Sequence, residues 1–421
     1  MRTIALLAVL VTLSQAIDAR AEDWPQFRGP NSLGASADKG LPTEWHDEKN
    51  IVWKAKLPGA GASSPITVGD RMYLTCYSGY SSDGKGEMEN LKLHFVCLNH
   101  KTSDIIFDKK LEPTLPESQR VRDHGYAAAT PATDGKAVYV FFGKSGVVKF
   151  DMEGNQVWRK SVGDGTHKWG CGTSPVLHDE VVIVNASVES GSLVALSKKD
   201  GEEVWSQGGM NRSWNTPHLV KVGEKHELVV SVKDKILAFD PATGESLWEC
   251  EGIHDYVCPS IISQDGIVYA IGGRQSQTIA VKAGGRGNVT ESHRLWQARV
   301  GANVSSPVIH DGHLYWVSDR NKVAYCVDVK TGDVKYHERI PQQPYASTLV
   351  ADGKLYVVSR FSGTIVLAAQ PEYKQLAHNK LGDKATFNAS PIVAGGRLFL
   401  RSDAYLYCIG SKDGDKASAA E

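Results

Sequence analysis

Several short segments of this sequence combine aromatic rings with histidine, arginine and amide side chains. Proteins use such groups to bind planar or sugar-like ligands when they converge in one pocket. Each segment lies just before a recurring Ser/Thr-Pro step or a degenerate copy of it. The same groups would also serve to fill and hydrogen-bond a channel, so both interpretations stay open. The candidate ligand-binding residues in these segments are Arg122, His124, Tyr126, His167, Trp169, Arg212, Trp214, Asn215, His254, Tyr256, Asn303, Tyr345 and Asn388.

The sequence shows no spacing that indicates a catalytic centre. Its carboxylates do not form a pair by spacing, and no nucleophile elbow or phosphate-binding loop occurs in a usable context. There is also no CxxC and no cluster with zinc-ligand spacing. We therefore assign no catalytic residue and expect no metal site.

A repeat must position the candidate residues. From Pro131 to Pro307, successive copies of the Ser/Thr-Pro step follow one another every 42 to 48 residues, which is the length of a four-stranded β-propeller blade. The segments around Pro259 and Ser347 are degenerate copies, which brings the number of repeats to eight. The regular copies are Ser64-Pro65, Thr130-Pro131, Ser174-Pro175, Thr216-Pro217, Ser306-Pro307 and Ser390-Pro391.

Each repeat divides into four short alternating strands. In the sixth, Val308–His310 leads through the turn Asp311-Gly312 into Leu314–Val317, and Val323–Val327 and Val334–Tyr336 follow. Alternating apolar runs joined by Asp-Gly turns favour hairpins over helices. The sequence therefore predicts an all-β protein, an eight-bladed β-propeller of four-stranded antiparallel blades.

The eighth repeat ends near Ile409 without a fourth strand. The apolar pattern and the tryptophan of a fourth strand occur instead at residues 50–56, just before the first Ser-Pro step. We expect this N-terminal strand to complete the last blade and close the ring, because closure hides the sheet edges. The expected organisation is an extension at 22–49 packed against the body, a single propeller at 50–410 and a disordered tail at 411–421.

In a propeller, the links from the fourth strand of one blade to the first strand of the next share a face with the turns between second and third strands. We call this the loop-rich face. A cation recurs there where the second strand ends, and such a ring of cations could hold an anionic ligand or an acidic segment of a partner. Solvated hairpin charges explain the same residues, so this interpretation also stays open. The cations are Lys144, Lys233, Arg274, Arg320, Arg360 and Arg401, of which we add Arg320 and Arg360 to the binding candidates.

The third and fourth strands carry a motif that resembles the signature of quinoprotein (PQQ-type) propeller repeats, Ala-x-Asp-x-x-Thr-Gly-x-x-x-Trp. Residues 238–248 match it at every defined position, and 195–205 match it with Ser197 in place of the aspartate. The glycine permits a left-handed turn, and the ring is expected to wedge between neighbouring blades. The tryptophans with this structural docking role are Trp53, Trp158, Trp205, Trp248 and Trp296.

The N-terminus has the features of a secretory signal peptide. Arg2 precedes the apolar stretch Ile4–Leu13, and Ala19-Arg20-Ala21 matches a small-x-small cleavage site. The stretch is too short to span a bilayer, although a buried N-terminal helix is an alternative. We expect residues 1–21 to be a signal peptide, no transmembrane anchor, and a location in the periplasm or cell envelope.

The charge balance of the chain limits the classes of partner that it is expected to bind. Lysine plus arginine number 47 and aspartate plus glutamate 48, so no overall charge attracts nucleic acid.

The seven cysteines are an odd number, and Cys76–Cys97 and Cys250–Cys258 are the close candidates for disulfides. Cys97, Cys326 and Cys408 recur at one place in three repeats, which favours small buried apolar residues.

The resemblance covers nearly the whole mature chain and implies two functions, and the aromatic residues of the loop-rich face suggest a third. The first is a non-catalytic, cofactor-free binding scaffold, as in the propeller lipoprotein of the outer-membrane β-barrel assembly machinery, monomeric and holding an envelope protein or small polar ligand. The second is an alcohol or sugar oxidoreductase that uses PQQ and calcium, but the sequence has no adjacent cysteine pair and no assignable calcium ligands. The third is a carbohydrate-binding propeller.

Overall fold

The computed structural model describes residues 23–122 and 124–411 of the protein. Within these ranges the chain forms eight sheets, each with four antiparallel strands, arranged as an eight-bladed β-propeller. The predicted fold class is therefore confirmed. The predicted signal peptide, and all but the first residue of the predicted disordered tail, lie outside the described residues.

The first four blades follow one another in chain order, and their strands are antiparallel neighbours within each sheet. Blade 1 comprises Ile66–Val68, Arg71–Ser78, Lys92–Asn99 and Ile105–Leu111; blade 2 comprises Ala132–Thr133, Ala137–Phe141, Val147–Asp151 and Gln156–Lys160; blade 3 comprises Val176–His178, Val181–Ala186, Ser192–Ser197 and Glu203–Gly208; blade 4 comprises His218–Val222, Lys225–Val232, Lys235–Phe239 and Ser246–Glu251.

The last four blades repeat this order, and blade 8 takes its outer strand from the N-terminal part of the chain. Blade 5 comprises Ile262–Gln264, Ile267–Gly272, Gln277–Lys282 and Arg294–Ala298; blade 6 comprises Val308–His310, His313–Ser318, Val323–Asp328 and Val334–Arg339; blade 7 comprises Leu349–Ala351, Lys354–Val358, Thr364–Ala368 and Gln375–Asn379; blade 8 comprises Ile392–Ala394, Arg397–Arg401, Tyr405–Ile409 and Ile51–Lys56.

Short elements decorate the blades. Ala35–Ser36 adds a parallel fifth strand to blade 7, and Gly287–Asn288 adds one to blade 4. One α-helical turn lies at Thr290–His293, within the long insertion of blade 5. The 3-10 turns are Pro30–Ser32, Met88–Asn90 and Gly143–Ser145.

The ring closes as the sequence predicts. Ile51–Lys56 pairs antiparallel with Tyr405–Ile409, with a bulge between Ile51 and Trp53. The Trp53 indole N–H then donates a hydrogen bond of 3.1 Å to the carbonyl of His100 in blade 1. The two ends of the propeller are thereby joined by strand pairing and by a side-chain contact.

The Ser/Thr residues of the repeat join the inner strands around the channel. In each of seven successive pairs, the backbone N–H of one residue donates to the side-chain hydroxyl of the equivalent residue in the next blade, at 2.9–3.1 Å. These contacts satisfy buried backbone donors that would otherwise lack a partner. The chain of residues runs Ser64, Thr130, Ser174, Thr216, Ser260, Ser306, Ser347 and Ser390.

Removing one hydroxyl from this chain should destabilise the ring. Ser174→Ala leaves the buried N–H of Thr130 without its acceptor, so the free energy of unfolding should fall by about 1–3 kcal/mol. Urea denaturation measures the change, and Ser161→Ala, at an exposed hydroxyl, is the control. A fall no larger than that of the control would contradict the role of the hydroxyl.

Besides Trp53, three of the predicted docking tryptophans make the same indole contact with the next blade. The indole N–H donates to a backbone carbonyl there, at 3.0–3.3 Å. The turn glycine of the next blade lies under the ring, where a Cβ atom would come within 2.7–2.8 Å of ring atoms. Glycine is therefore needed for its positive φ and for the close approach. The pairs are Trp158 on Gly201, Trp205 on Gly244 and Trp296 on Gly332.

Trp248 departs from this pattern because the insertion of blade 5 lies where the next turn would be. Its indole N–H donates instead to the buried carboxylate of Glu227, at 2.6 Å. The N–H of Gly284 and the guanidinium of Arg286, both in the insertion, also donate to Glu227. A carboxylate thus replaces the carbonyl acceptor in this blade.

The N-terminal extension enters the channel. The backbone of Trp24 exchanges hydrogen bonds with Thr67 of blade 1, and the carbonyl of Pro25 accepts from Thr133 of blade 2. On the opposite side, the buried guanidinium of Arg28 donates to the carbonyl of Pro307 of blade 6. The segment Trp24–Pro30, which we call the plug, therefore bridges blades on both sides of the channel.

The hydrophobic core is a ring of seven clusters, each built from residues of adjacent blades. Cys97, Cys326 and Cys408 lie fully buried in three of them, as small apolar residues do. All seven cysteines are free thiols, so the candidate disulfides Cys76–Cys97 and Cys250–Cys258 are not formed. Cys97, Cys326 and Cys408 are therefore buried because they pack as apolar residues in the core.

Candidate functional site

A cavity of about 360 Å³ lies at the mouth of the channel on the loop-rich face. We call it the central cavity. It brings together residues from the links of all the blades, although they are far apart in the sequence. The binding candidates that line it are Arg122, His124, Trp169, Trp214, Tyr256, Asn303, Tyr345, Arg360 and Asn388.

The plug and the hydroxyl chain form the deep end of the central cavity. Phe27 of the plug lines it together with Ser260, Ser306, Ser347 and Ser390. Because Trp24 and Arg28 are anchored to the inner strands on either side, the position of Phe27 is set by the body of the propeller. The channel is therefore blocked below the cavity.

One wall of the central cavity is basic and polar. His124 Nδ1 lies 3.1 Å from the hydroxyl of Tyr345, and the Arg360 guanidinium lies 5.0 Å from the centre of the Tyr345 ring. Arg360 Nε also donates to the amide oxygen of Asn388 at 3.1 Å. These contacts hold the guanidinium at the cavity edge, where it can meet an anionic group.

The opposite wall is an aromatic cluster, which we call the aromatic wall. Its ring centres lie 5.0 Å apart for Trp169 and Trp214 and 4.6 Å apart for Trp169 and Tyr256. Trp214 is held by a hydrogen bond from its indole N–H to the carbonyl of Gly170, and Tyr256 by one to Asn303. The rings are thus oriented before any ligand arrives.

A second cavity, of about 390 Å³, shares the three rings of the aromatic wall with the central cavity. We call it the basic groove, because four of its lining residues are basic and none is acidic. His167 and Arg212 of the binding candidates lie here, away from the central cavity. The lining residues are Thr166, His167, Lys168, Trp169, Ser187, Val188, Arg212, Trp214, Tyr256 and Arg274.

The remaining candidates do not line either cavity. Asn215 is fully buried, and its amide hydrogen-bonds the hydroxyl of Ser213 and the carbonyl of Ser231. Tyr126 packs in the core between blades 1 and 2. His254 contacts an aspartate at the surface, and the Arg320 guanidinium donates to a backbone carbonyl.

The recurring cations do not form one uniform ring. Arg401 is 2% exposed and donates to the carbonyls of Ser63 and Thr75 inside the molecule. Arg274 is held by the carboxylate of Asp255 through two contacts of 2.9 Å. Much of the predicted ring therefore serves the structure of the loops.

The lining of the central cavity does not fit the calcium-binding set that the quinoprotein resemblance implies. Asp319 is the one acidic residue among the described residues of the lining, and one of its oxygens accepts from the backbone N–H groups of Asn303 and Val304. Burial raises the pKa of Asp319, which disfavours the charged form that calcium requires. In the described ranges no three His, Cys, Asp or Glu residues cluster as a metal site.

Phe27, Asp319 and Gln343 are among the lining residues that sequence reasoning missed. Phe27 belongs to the plug, whose sequence at residues 24–30 is Trp-Pro-Gln-Phe-Arg-Gly-Pro. The unusual composition of this segment is a sequence signal for a specific role. Asp319 directly precedes Arg320, the recurring cation of blade 6. The residues before the other recurring cations are not acidic, so the repeat gave no signal that this position lines a cavity. Only the ring geometry brings it next to Asn303.

Comparisons with known proteins agree with the fold. A family model described as outer membrane protein assembly factor BamB matches residues 143–375, more than half of the chain. No curated protein sequence gives a significant match. In residues 23–122 and 124–411, no helix has the length and apolar character needed to cross a membrane.

Solved structures share the architecture at low sequence identity. BamB from Moraxella catarrhalis is 13% identical, with a TM-score of 0.63 over 86% of this chain and 97% of that one. A quinohemoprotein alcohol dehydrogenase from Comamonas testosteroni is 11% identical, with a TM-score of 0.65 over 94% and 82% of the two chains. A europium-containing methanol dehydrogenase is 10% identical, with a TM-score of 0.67 over 93% and 98%. At such identities the likeness concerns the fold.

Proposed function

We propose that this chain, which belongs to the family described as outer membrane protein assembly factor BamB, is a non-catalytic binding scaffold of the cell envelope. Its central cavity would hold an acidic segment of a partner protein. The description of the family as an assembly factor supports a role in bringing proteins together. The signal peptide expected at residues 1–21 supports the envelope location.

The observation that carries the proposal is the charge of the central cavity. Arg122 and Arg360 line it, and Asp319, the one acidic residue among the described lining residues, accepts hydrogen bonds from backbone N–H groups. A carboxylate of a partner can pair with a guanidinium of this cavity through charge-assisted hydrogen bonds. The aromatic wall supplies apolar surface for the rest of the segment.

The residues of the cavity support binding rather than chemistry. Cys258 lines the cavity, but burial raises the pKa of its thiol, with Asp319 adding to the effect. The thiol form is a weak nucleophile. The mismatch with a calcium-binding set likewise gives no support to quinone-dependent oxidation.

Removing the two cavity arginines should weaken binding of an acidic peptide. For Arg122→Ala with Arg360→Ala we expect affinity for a tyrosine-containing peptide with four aspartates to fall at least about 100-fold, since each of the two charged hydrogen bonds contributes about 1.5–3 kcal/mol. Fluorescence anisotropy of the labelled peptide measures the change. The salt dependence of binding should also weaken.

The matched control removes two charges from the opposite face. Lys199 and Lys225 are exposed; Lys199 lies in the turn between the third and fourth strands of blade 3, and Lys225 is the first residue of the second strand of blade 4. Lys199→Gln with Lys225→Gln should leave the affinity unchanged. Equal affinity of the arginine variant and the unaltered protein would contradict the proposal, as would dye-linked oxidation of an alcohol by protein loaded with PQQ and calcium.

A further inference from the structure

We propose that the basic groove binds an acidic oligosaccharide, a chain of sugars that carry carboxylate or sulfate groups. This site is distinct from the acidic-peptide site proposed above, because the two cavities share the aromatic wall but have different cations in their linings. Lys168 and Arg212 line only the basic groove, whereas Arg122 and Arg360 line only the central cavity. The two proposals can therefore fail independently.

The charge of the basic groove favours an anionic ligand. Lys168, Arg212 and Arg274 line it, and none of the described lining residues is an aspartate or glutamate. The charge of Arg274 is partly offset by Asp255 behind it. Lys168 and Arg212 are exposed, and among the described residues neither forms an ion pair with a carboxylate. Two cations are thus available to a ligand.

The aromatic wall supplies flat apolar surface next to these cations. Trp169, Trp214 and Tyr256 contribute to the groove, and His167 lies 5.1 Å from Trp214 and 5.7 Å from Trp169, ring centre to ring centre. Aromatic rings with nearby polar groups suit ligands that have an apolar face and a polar rim. A sugar ring has this form, with C–H groups on its faces and hydroxyl groups around its edge.

The wall is also held in place before binding. Hydrogen bonds fix Trp214 to Gly170 and Tyr256 to Asn303, and the Arg274 guanidinium lies 5.1 Å from the centre of the Tyr256 ring. Less conformational freedom is lost when a ligand meets side chains that are already ordered. A rigid platform therefore suits the weak, repeated contacts of an oligosaccharide.

The backbone around the groove favours a sugar over an extended peptide. The lining residues lie in links and turns, outside the strands of the blades. A peptide that adds to a protein surface as a strand requires an open sheet edge, and the groove does not present one. Its polar contacts come from side chains, including the hydroxyls of Thr166 and Ser187.

The test compares charged and neutral sugars by isothermal titration calorimetry. The charged ligands are trigalacturonate, which carries carboxylates, and a sulfated chondroitin tetrasaccharide; maltotriose is the neutral ligand. We expect at least one charged ligand to bind at least 10-fold more tightly than maltotriose. The comparison of the two charged ligands identifies which acidic group the groove accepts.

Variants assign the binding to the groove. Lys168→Gln with Arg212→Asn should lower the affinity for the charged sugar at least 10-fold; asparagine is chosen because Arg212 has a φ of 49°, which asparagine tolerates. The Lys199→Gln, Lys225→Gln protein is the matched control and should bind as the unaltered protein does. Arg122→Ala with Arg360→Ala should retain sugar binding, since those residues lie outside the groove.

Three results would overturn the proposal. One is the absence of binding by both charged sugars, and another is equal affinity for maltotriose. The third is displacement of the charged sugar by the acidic peptide together with loss of peptide binding in the Lys168→Gln, Arg212→Asn protein, which would identify a peptide groove. Because both substituted side chains are exposed, the variant is expected to fold, and circular dichroism checks that it does.

Discussion

Replacing Trp24 by alanine should lower the free energy of unfolding by about 3–5 kcal/mol. The indole is 2% exposed and belongs to the apolar cluster shared by blades 7, 8 and 1. A Cβ atom at Gly29 would lie 2.7 Å from its ring, so the following turn is packed directly on it. Alanine would therefore leave a void that the neighbouring backbone cannot easily fill. Urea denaturation measures the loss.

The same substitution should also weaken ligand binding in the central cavity. Phe27 lines that cavity and follows Trp24 by three residues in the plug. If the plug loosens, the deep end of the cavity loses its ordered surface, and the acidic peptide should bind more weakly while the basic groove is unaffected.

Phe361→Ala is the control for stability, because this ring is 62% exposed and its loss should change the free energy of unfolding by no more than about 0.5 kcal/mol. A Trp24→Ala protein as stable as this control would show that the plug is not anchored through the indole.

The second large effect is an unusual dependence of stability on pH. Glu117 and Glu189 line a small void of about 30 Å³, together with Lys144, His167 and Cys171. Burial raises the pKa of Glu189 to about 8, with a smaller contribution from Glu117, and burial raises the pKa of Glu117 itself to about 7. One oxygen of Glu189 has no hydrogen-bond partner among the described residues. Both groups are therefore protonated in the folded protein at mildly acidic pH.

The direction of the effect follows from proton binding. Between the ordinary carboxyl pKa near 4.5 and the raised values, the folded state binds more protons than the unfolded state. Stability must then fall as the pH rises through this window. At about 1.4 kcal/mol per pKa unit, Glu189 alone should remove about 4 kcal/mol between pH 5 and pH 8.

Glu189→Gln should abolish most of this loss, since glutamine has nearly the same shape and stays neutral. Urea denaturation at pH 5, 6, 7 and 8 compares the variant with the unaltered protein, and Glu224→Gln, at an exposed carboxylate, is the control. The variant should be the more stable protein at pH 8 and about as stable at pH 5. If the free energy of unfolding of the variant and of the unaltered protein changed with pH in parallel, a buried Glu189 carboxyl group with a raised pKa would be contradicted.

This titration bears on the site because the carbonyl of Glu189 accepts the N–H of Gly165 at 2.9 Å. Gly165 belongs to the link that carries His167 and Trp169, which line the basic groove. Ionisation of the buried carboxyl should therefore loosen one side of the groove. Affinity for an acidic sugar is expected to fall above pH 8 more steeply in the unaltered protein than in the Glu189→Gln protein.

The sequence by itself determined the blades and their closure. The spacing of Ser/Thr-Pro steps, the alternating runs and the Trp53 strand all depend on contacts within one repeat or with the next one. Such contacts recur at every blade, so their pattern is visible in the chain. The hydroxyl chain and the tryptophan–glycine contacts explain why those residue types recur.

The tertiary structure decided which loop residues share a cavity. Asn215 and Trp214 are neighbours in the sequence, yet the first is buried and the second lines both cavities, because successive side chains of an irregular link point in different directions. The candidates are also divided between two cavities. The plug, which lines the channel, comes from the N-terminal extension of the chain. The lining of each cavity and the position of the plug depend on contacts between residues that lie one to several blades apart. A local pattern in the sequence cannot predict which of these residues come into contact.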